Sequence, residues 1–278
     1  MSVDRDTGAA QRWRRAAAIA RYAAAAGAAV VRAAGGSGQA TERKGPGDYV
    51  TATDREAQRV IVAVLAAATP DLAIVAEEVD PGDPDGRPPP RDGWLVDPLD
   101  GTTNFSRGFP VVGVSVALLE GGVPVAGAVC APFLGRSWRG YLGGGAHDES
   151  GARLQVGTRP PGEAVVATGF PFKAPTRRAG YLRMLAEVLG RVEDGRRAGA
   201  ASVDLALTAE GVFDGFFELG LRPWDIAAGI LLVLEAGGRA GDWGGGDAAR
   251  ALASGDVLAG SPPVHAELLV AARAAGMG

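Results

Sequence analysis

The feature that most constrains the fold is an apolar run that ends abruptly in two acids. Residues 94–96 are Trp-Leu-Val, and they are followed by Asp97 and Asp100 with Pro98 between them. Because proline cannot donate a hydrogen bond to a sheet ladder, we expect a buried strand to stop here. The next four residues, 101–104, read Gly-Thr-Thr-Asn, which is typical of a tight turn that opens a helix.

This pattern places two carboxylates at a strand end, facing the unbonded amides of a helix start. Carboxylate oxygens hold hard cations such as Mg²⁺. Helix-start amides hold phosphate. The turn therefore predicts metal-assisted phosphate chemistry.

Composition excludes several other chemistries. The net charge is −4 and the pI is near 5.3, so a nucleic-acid-binding surface is not expected. Only His147 and His265 are present, which leaves little material for a histidine-based zinc site or a Ser-His-Asp triad. The single cysteine, Cys130, rules out an intramolecular disulfide and suits a reducing cytoplasm.

The N-terminal segment is rich in alanine and arginine. We interpret residues 8–34 as a long amphipathic helix rather than a signal peptide, because Ile19, Tyr22, Ala26 and Val30 fit one helical face. No stretch of ~18 strongly apolar residues appears, so no membrane span is predicted.

The rest of the chain divides into two predicted domains. Residues 1–157 form an N-terminal α+β domain with an antiparallel sheet and the metal-site acids, and residues 158–278 form a C-terminal α/β domain that completes the site. In the first domain we expect these elements: helix 54–68, strand 72–76, and sheet runs 111–119, 123–131, 138–142 and 153–156. In the second we expect these: strand 164–168, helix 176–192, helix 202–211, strand 212–219 and helix 225–235.

Two loops are predicted between these elements. Residues 79–93 should be a mobile loop, and its calcium-loop spacing is rejected because Pro81 and Asp92 occupy the first and last ligand positions. His147 should lie at the tip of a hairpin.

Five acids share one pattern, since each lies at the end of a predicted element: Asp54, Glu77, Asp97, Asp100 and Asp225. One such acid is usually a helix cap or a solvated charge. If several converge in one cleft, their mutual repulsion demands cations. Bound Mg²⁺ could then polarise a phosphate and lower the pKa of a bound water.

The stretch 97–105, Asp-Pro-Leu-Asp-Gly-Thr-Thr-Asn-Phe, resembles the signature of the inositol monophosphatase family, and 221–229 resembles its second motif. Further matches follow in family order: 48–54, Glu77-Glu78, 167–172, 197–202, 216–220 and 235–238. The likeness covers about residues 15–240. It implies an α+β, layered αβαβα sandwich, a cytoplasmic homodimer, and inhibition by Li⁺.

The resemblance also implies roles for individual residues. Glu77 and Asp97 would hold a first Mg²⁺ with the carbonyl of Leu99, and Asp97, Asp100 and Asp225 would hold a second. Glu77 would also coordinate a third, more weakly bound ion, and Mn²⁺ could replace Mg²⁺. Asp54 and Thr102 would orient the attacking water. The substrate-facing positions would be the amides of Gly101 and Thr102 for phosphate, and Gly199, Ala200, Ala201, Glu218 and Asp225 for the polyol.

The expected activity is Mg²⁺-dependent hydrolysis of a small polyol phosphate, with myo-inositol 1-phosphate as the first choice. Fructose 1,6-bisphosphate, histidinol phosphate and a 3′-phosphonucleotide remain alternatives within the same fold. These wider substrates need more basic residues near the cleft, where Arg222 is the only obvious candidate. A non-catalytic binding protein that keeps the fold is the alternative from another class.

Overall fold

The computed structural model describes residues 3–35, 41–45, 48–78, 90–172 and 174–277. The helices are α1 (Val3–Ala34), α2 (Ala52–Ala68), α3 (Thr102–Arg107), α4 (Arg178–Leu189), α5 (Ala201–Ala209), α6 (Pro223–Glu235), α7 (Ala248–Ser254) and α8 (Pro262–Ala274). The strands are β1 (Thr41–Gly45), β2 (Asp48–Thr51), β3 (Ala73–Ala76), β4 (Gly93–Asp100), β5 (Gly113–Glu120), β6 (Val123–Ala131), β7 (Arg136–Tyr141), β8 (Gly145–Asp148), β9 (Val165–Thr168), β10 (Asp194–Arg196), β11 (Gly215–Glu218), β12 (Arg239–Gly241) and β13 (Val257–Gly260).

The strands form two large sheets and one short hairpin. The first sheet has the order β3-β4-β5-β6-β7-β8, with β3 parallel to β4 and the other neighbours antiparallel. The second has the order β10-β9-β11-β13-β12, in which β10, β9 and β11 are parallel and β13 runs antiparallel to both of its neighbours. Strands β1 and β2 pair with each other as the hairpin.

Three apolar cores bind these elements into five layers. Helices α1 and α2 pack on the outer face of the first sheet. Helices α5 and α6 lie between the two sheets, and α4 and α8 cover the outer face of the second. The predicted αβαβα sandwich is therefore confirmed. The middle helices belong to the second half of the chain, yet they also pack against the first sheet, and the division near residue 157 stays a prediction.

Helix α1 uses alanine to approach the sheet closely. Ala20, Ala23, Ala24 and Val31 are fully buried on one face. The segment Gly8–Ala34 is long and apolar enough to cross a membrane by length and composition, but almost half of it is buried inside the fold. A helix in the core of a folded domain can have the same length and composition, and the buried face of α1 is typical of such a helix.

Several predicted boundaries are wrong. Segment 153–156 is not a strand, because Arg153 makes a single bridge to His147 while Leu154 and Val156 turn into the core between the sheets. His147 lies within β8 opposite Arg139, and the turn before it is made by residues 142–144. The predicted loop 79–93 falls mostly outside the described residues, and its last residue already belongs to β4.

Strand β4 also continues past the point where Pro98 was expected to end it. Asp97 pairs with Ser115 and Asp100 pairs with Gly113, so two residues of β4 stand opposite Val114 alone. This is a β-bulge, and a bulge accepts proline because one residue leaves the ladder.

The contact between α1 and α2 gives a stability prediction at Gly27. A Cβ added there would lie 2.5 Å from Cδ1 of the fully buried Ile61, whereas one added at Gly8 in the same helix would meet nothing. Gly8→Ala should stabilise the protein by about 0.5–1 kcal/mol through helix propensity. Gly27→Ala should instead cost about 1–3 kcal/mol from overpacking.

Urea unfolding of both variants tests this difference. Adding Ile61→Val to Gly27→Ala should recover part of the loss, because it removes the clashing Cδ1 atom. A stabilising Gly27→Ala substitution would show that the two helices are packed less closely than described.

Candidate active site

The bulge in β4 turns both of its acids towards one place. Residues three apart on a regular strand point to opposite faces. The extra residue at 98–99 resets this alternation, so that Asp100 follows Asp97 to the same side. Asp97 is almost fully buried, and its Oδ1 accepts a hydrogen bond from the Leu99 amide at 3.0 Å.

A group of three carboxylates forms around Asp97. Glu77, Asp97 and Asp225 each offer an oxygen, and these oxygens lie within 4.8 Å of one another. Glu77 arrives beside Asp97 because β3 and β4 run parallel, and its amide continues the ladder to the Val96 carbonyl at 3.0 Å. Asp225 comes from the first turn of α6.

Asp100 stands beside this group with a different set of contacts. Its Oδ2 accepts hydrogen bonds from the Ser202 amide at 2.7 Å and from the Ser202 hydroxyl at 2.6 Å. The start of α5 therefore orients this carboxylate. Asp100 is still close enough to act on the charge of Asp97, as do Glu77 and Asp225.

The electrostatics of this cluster fit a divalent cation. Burial raises the pKa of Asp97 well above its ordinary value, and the neighbouring charges of Glu77, Asp100 and Asp225 raise it further. Like charges held this close are tolerated when a cation compensates them. Oxygen-only donors of this kind suit Mg²⁺ or Mn²⁺.

Asp54 and Thr102 are brought into contact from distant parts of the chain. The Thr102 hydroxyl lies 3.1 Å from Asp54 Oδ1 and 3.2 Å from the Leu99 carbonyl oxygen. The other Asp54 oxygen accepts the Thr51 amide at 2.8 Å. Burial raises the pKa of Asp54, while its hydrogen bonds with Thr51 and Thr102 oppose that shift.

Asp54 and Asp225 occupy equivalent helical positions. Each is the third residue of its helix. The sequence analysis had placed each of them first. One oxygen of each accepts the amide of the residue before the helix, at 2.8 Å in both cases. The partial positive charge of a helix start favours a carboxylate at this position.

The Gly101 turn and the start of α5 lie against each other. Gly101 has a φ of +90°, and a Cβ there would come within 3.3 Å of both the Gly199 carbonyl and Ala200. Ala200 and Ala201 are buried in this contact. The side-chain nitrogen Nδ2 of Asn104 stabilises this contact by donating a hydrogen bond to the Ala198 carbonyl at 2.8 Å.

Glu218 ends β11 on the other side of the cleft. Its carboxylate lies directly over Gly169, where a Cβ would be 1.9 Å from Oε1. Burial raises the pKa of Glu218 well above its ordinary value, and the charges of Asp204, Asp100 and Asp225 add to that effect. Glu218 is therefore close enough to Asp100 and Asp225 to interact with their charges.

Three neighbours of the site were given no role by the sequence analysis, although two of them belong to the 197–202 motif. Ser202 orients Asp100, and its place just inside a predicted helix start was the available signal. Asp204 is buried in α5, and both of its oxygens lack a hydrogen-bond partner among the described residues. Arg197 lies beside Gly199. No spacing rule in the sequence links Asp204 or Arg197 to the acids.

The five layers, with a carboxylate cluster able to hold a cation beside a helix start, define a phosphatase fold. Residues 13–277 match the model of the inositol monophosphatase family. An inositol-1-monophosphatase of Mesorhizobium japonicum is 41% identical over 234 residues, which cover 83% of this chain and 85% of that protein. The Nus factor SuhB of Escherichia coli is 39% identical over 228 residues, covering 82% and 83%.

A solved structure agrees with this relationship. The extragenic suppressor protein suhB from Bartonella henselae has a TM-score of 0.83 and 34% identity, with 92% of this chain and 97% of that chain covered. The chain belongs to the inositol monophosphatase family.

The raised pKa of Asp97 predicts how the metal-free protein responds to pH. Between the two pKa values the folded state keeps a proton on Asp97 that the unfolded chain releases. The protein is therefore most stable, with respect to this group, at low pH, where Asp97 is protonated in both states. This stabilisation is lost as pH rises from the ordinary carboxyl pKa of about 4 through the raised folded value. In EDTA, Asp97→Asn should therefore melt at a higher temperature than the wild type, with a gap that widens towards pH 8.

Adding Mg²⁺ should reverse this order, because the cation stabilises only the intact cluster. Asp148→Asn is the matched control, since Asp148 is only half-buried and hydrogen bonds from Ser150 lower its pKa. That control should leave the Mg²⁺ response unchanged. Identical melting curves for wild type and Asp97→Asn in EDTA at every pH would contradict the repulsion argument.

Proposed function

We propose that this protein is a Mg²⁺-dependent phosphomonoesterase that hydrolyses a small polyol phosphate, with myo-inositol 1-phosphate as its substrate. The observation that carries the proposal is the convergence of Glu77, Asp97 and Asp225 in one cluster. The contact between Thr102 and Asp54, on the strand-to-helix turn that follows Asp97, supports it.

The acids divide into two overlapping sets of metal ligands. Glu77, Asp97 and the Leu99 carbonyl would hold one Mg²⁺, and Asp97, Asp100 and Asp225 would hold another. Glu77 would also coordinate a third ion, and Mn²⁺ would substitute for Mg²⁺. When bound, these ions lower the pKa of a coordinated water and stabilise charge on the phosphate and on the leaving oxygen.

The protein's own groups handle the proton of the attacking water. The Thr102 hydroxyl already donates to Asp54 Oδ1, so it can accept a proton from water while passing its own to Asp54. Asp54 is held in place by the Thr51 amide. Burial favours a proton on Asp54, which suits a group that receives one.

The substrate would lie across the junction between the two halves of the site. The amides of Gly101 and Thr102 face the phosphate, as expected for a helix start. The polyol would lie towards Gly199, Ala200 and Ala201, with Glu218 and Asp225 as hydrogen-bond acceptors. We place the enzyme in the cytoplasm as a homodimer that Li⁺ inhibits.

The names of the relatives favour one further candidate, because SuhB of Escherichia coli is called a Nus factor. A role through a protein partner, without catalysis, would need none of the site acids. This chain retains all five of them, and three lie within ligand distance of each other. The cluster therefore favours hydrolysis over a purely binding role.

Phosphate release with myo-inositol 1-phosphate and Mg²⁺ tests the function. Activity should vanish in EDTA and return with Mg²⁺, and Asp97→Asn should lower kcat by about 10³-fold or more. Fructose 1,6-bisphosphate, histidinol phosphate and a 3′-phosphonucleotide complete the substrate panel. Full activity in metal-free buffer would refute the mechanism, and no activity on any substrate would favour the binding role.

Thr102→Ala should lower kcat by about 10²- to 10⁴-fold and change KM much less, because the lost proton path matters mainly in the transition state. Thr103→Ala is the matched control, since Thr103 is exposed in the next position of the same helix. It should behave like the wild type. A change confined to KM would mean that Thr102 only binds phosphate.

Glu218→Ala should lower kcat/KM for myo-inositol 1-phosphate by roughly 5- to 150-fold, the scale of a lost buried hydrogen bond. Hydrolysis of p-nitrophenyl phosphate, which has no ring hydroxyls, should fall much less. Glu218→Gln should retain more activity than Glu218→Ala because it keeps an acceptor oxygen. Equal losses on both substrates would mean that Glu218 supports the metal site or the fold.

A further inference from the structure

One side of the molecule carries several arginines and no acids. Residues 8–41 contain five arginines and neither aspartate nor glutamate, and residues 121–147 contain two more arginines and again no acid. The whole chain nevertheless has a net charge of −4. These two segments meet in the fold, because α1 packs on β6 and β7. Positive charge is therefore concentrated on the α1 side of an acidic protein.

Three of these arginines form a row along α1. Arg14, Arg21 and Arg32 are separated by 7 and 11 residues, which is about two and three helical turns. All three are exposed, and none of them makes an ion pair within the described part of the chain, whereas Arg12 reaches Glu120 at 3.8 Å. No carboxylate therefore neutralises this arginine row.

The arginine row borders the part of the first sheet that lies beside α1. The charges of Arg21 and Arg32 both act on Cys130 of β6, where they oppose the burial that raises its pKa to about 12. Cys130 pairs with Ser137 of β7, and Arg139, two residues further along β7, lies on the same face of the sheet. Arg139 is half-buried and has no ion pair among the described residues. The positive surface thus extends from the helix to the strand.

An uncharged strip adjoins the same helix. Tyr22 is 67% exposed, although it lies in the middle of α1, and it lines a shallow groove against α2 with Val60, Val64 and Ala67. Residues 60–68 of α2 are all Val, Ile, Leu or Ala, so the end of this helix carries no charge. Because α1 and α2 lie side by side on one face of the first sheet, their outer sides point the same way. This outer layer therefore presents positive charge and apolar side chains together.

We propose that the outer face of α1 and α2 binds to the surface of an anionic phospholipid membrane. The arginine row would contact lipid phosphates, which guanidinium groups bind through paired hydrogen bonds. Tyr22 and the apolar end of α2 would enter the region between the head groups and the acyl chains. A nucleic acid would match the charge but would gain nothing from the apolar strip, so the combination favours a lipid surface.

The active site stays open in this arrangement. Asp54 lies in the first turn of α2, whereas the proposed contact uses the last nine residues of that helix. The inner side of α1 is buried against the sheet, so the protein would lie on the bilayer without crossing it. The inference does not rest on the proposed hydrolysis, because it concerns a different surface.

Co-sedimentation with vesicles tests the proposal. The wild type should bind phosphatidylcholine vesicles that contain about 30% phosphatidylglycerol and should bind pure phosphatidylcholine far less, because the attraction depends on negative lipid charge. Replacing the arginine row by glutamine (Arg14→Gln, Arg21→Gln and Arg32→Gln together) should weaken binding by about 100-fold, roughly 5-fold for each charge. Added salt should weaken the binding of the wild type as well.

Three further variants separate this surface from a general effect of charge. Arg178→Gln, Arg250→Gln and Arg273→Gln together remove the same charge from exposed positions on α4, α7 and α8, and this control should bind within about 3-fold of the wild type. Tyr22→Ser keeps the charge and should weaken binding by about 3-fold or more, because it removes an apolar contact. Replacing the arginine row by lysine should retain most of the binding, and this variant decides the question if the glutamine variant does not fold.

The proposal is overturned if the wild type does not sediment with the anionic vesicles, if neutral vesicles bind it equally, or if the control variant loses as much binding as the glutamine variant. Unchanged vesicle binding by Tyr22→Ser, or tighter binding to a single-stranded RNA or to polyglutamate than to the vesicles, would assign the surface to a different polyanion. Phosphate release measured without vesicles should be the same in all of these variants and the wild type, so a failure of the proposed function leaves the sedimentation test intact.

Discussion

Repulsion among buried carboxylates is the constraint on which this structure depends. Glu77, Asp97 and Asp225 meet within 4.8 Å, and Asp97 is almost fully buried. Such a cluster costs free energy in the absence of a cation. The surrounding fold must therefore supply the stability that the site removes, and it does so through three apolar cores on both faces of two sheets. The cluster lowers the stability of the metal-free protein, and this same repulsion favours the binding of a cation.

The scaffold brings the acids together by three separate devices. Parallel pairing aligns β3 with β4, so Glu77, which follows β3, lies beside Asp97 within β4. A bulge in β4 turns Asp100 to the same side as Asp97. A helix start presents Asp225, which caps α6 with one oxygen at 2.8 Å from the Arg222 amide. All three are rigid elements, and rigid support keeps a metal site within the narrow geometry that its chemistry needs.

The two halves of the chain contribute different parts of the same site. The first half carries Asp97 and the Thr102–Asp54 contact. The second half carries the start of α5, which orients Asp100 through Ser202 and abuts the Gly101 turn. Because α5 and α6 form the shared middle layer, the site lies where the two sheets are joined. Under the proposed function, residues of the second half would contact the polyol, while Asp54 and Thr102 of the first half would transfer the proton.

The sequence by itself determined most of the element order and the acids at element ends, because these depend on local patterns of apolar periodicity, turn residues and helix starts. The layered fold followed from the resemblance of its motifs to those of the inositol monophosphatase family. The sequence placed the end of β4 wrongly at Pro98, since a bulge depends on the register of the neighbouring strand. It did not find β13 or α8, and it gave Ser202 and Arg197 no role. Only the tertiary structure decided which acids converge and which basic residue borders the cleft. Those facts depend on distances between residues far apart in the chain, such as the 102 positions between Asp100 and Ser202, and local preference carries no information about them.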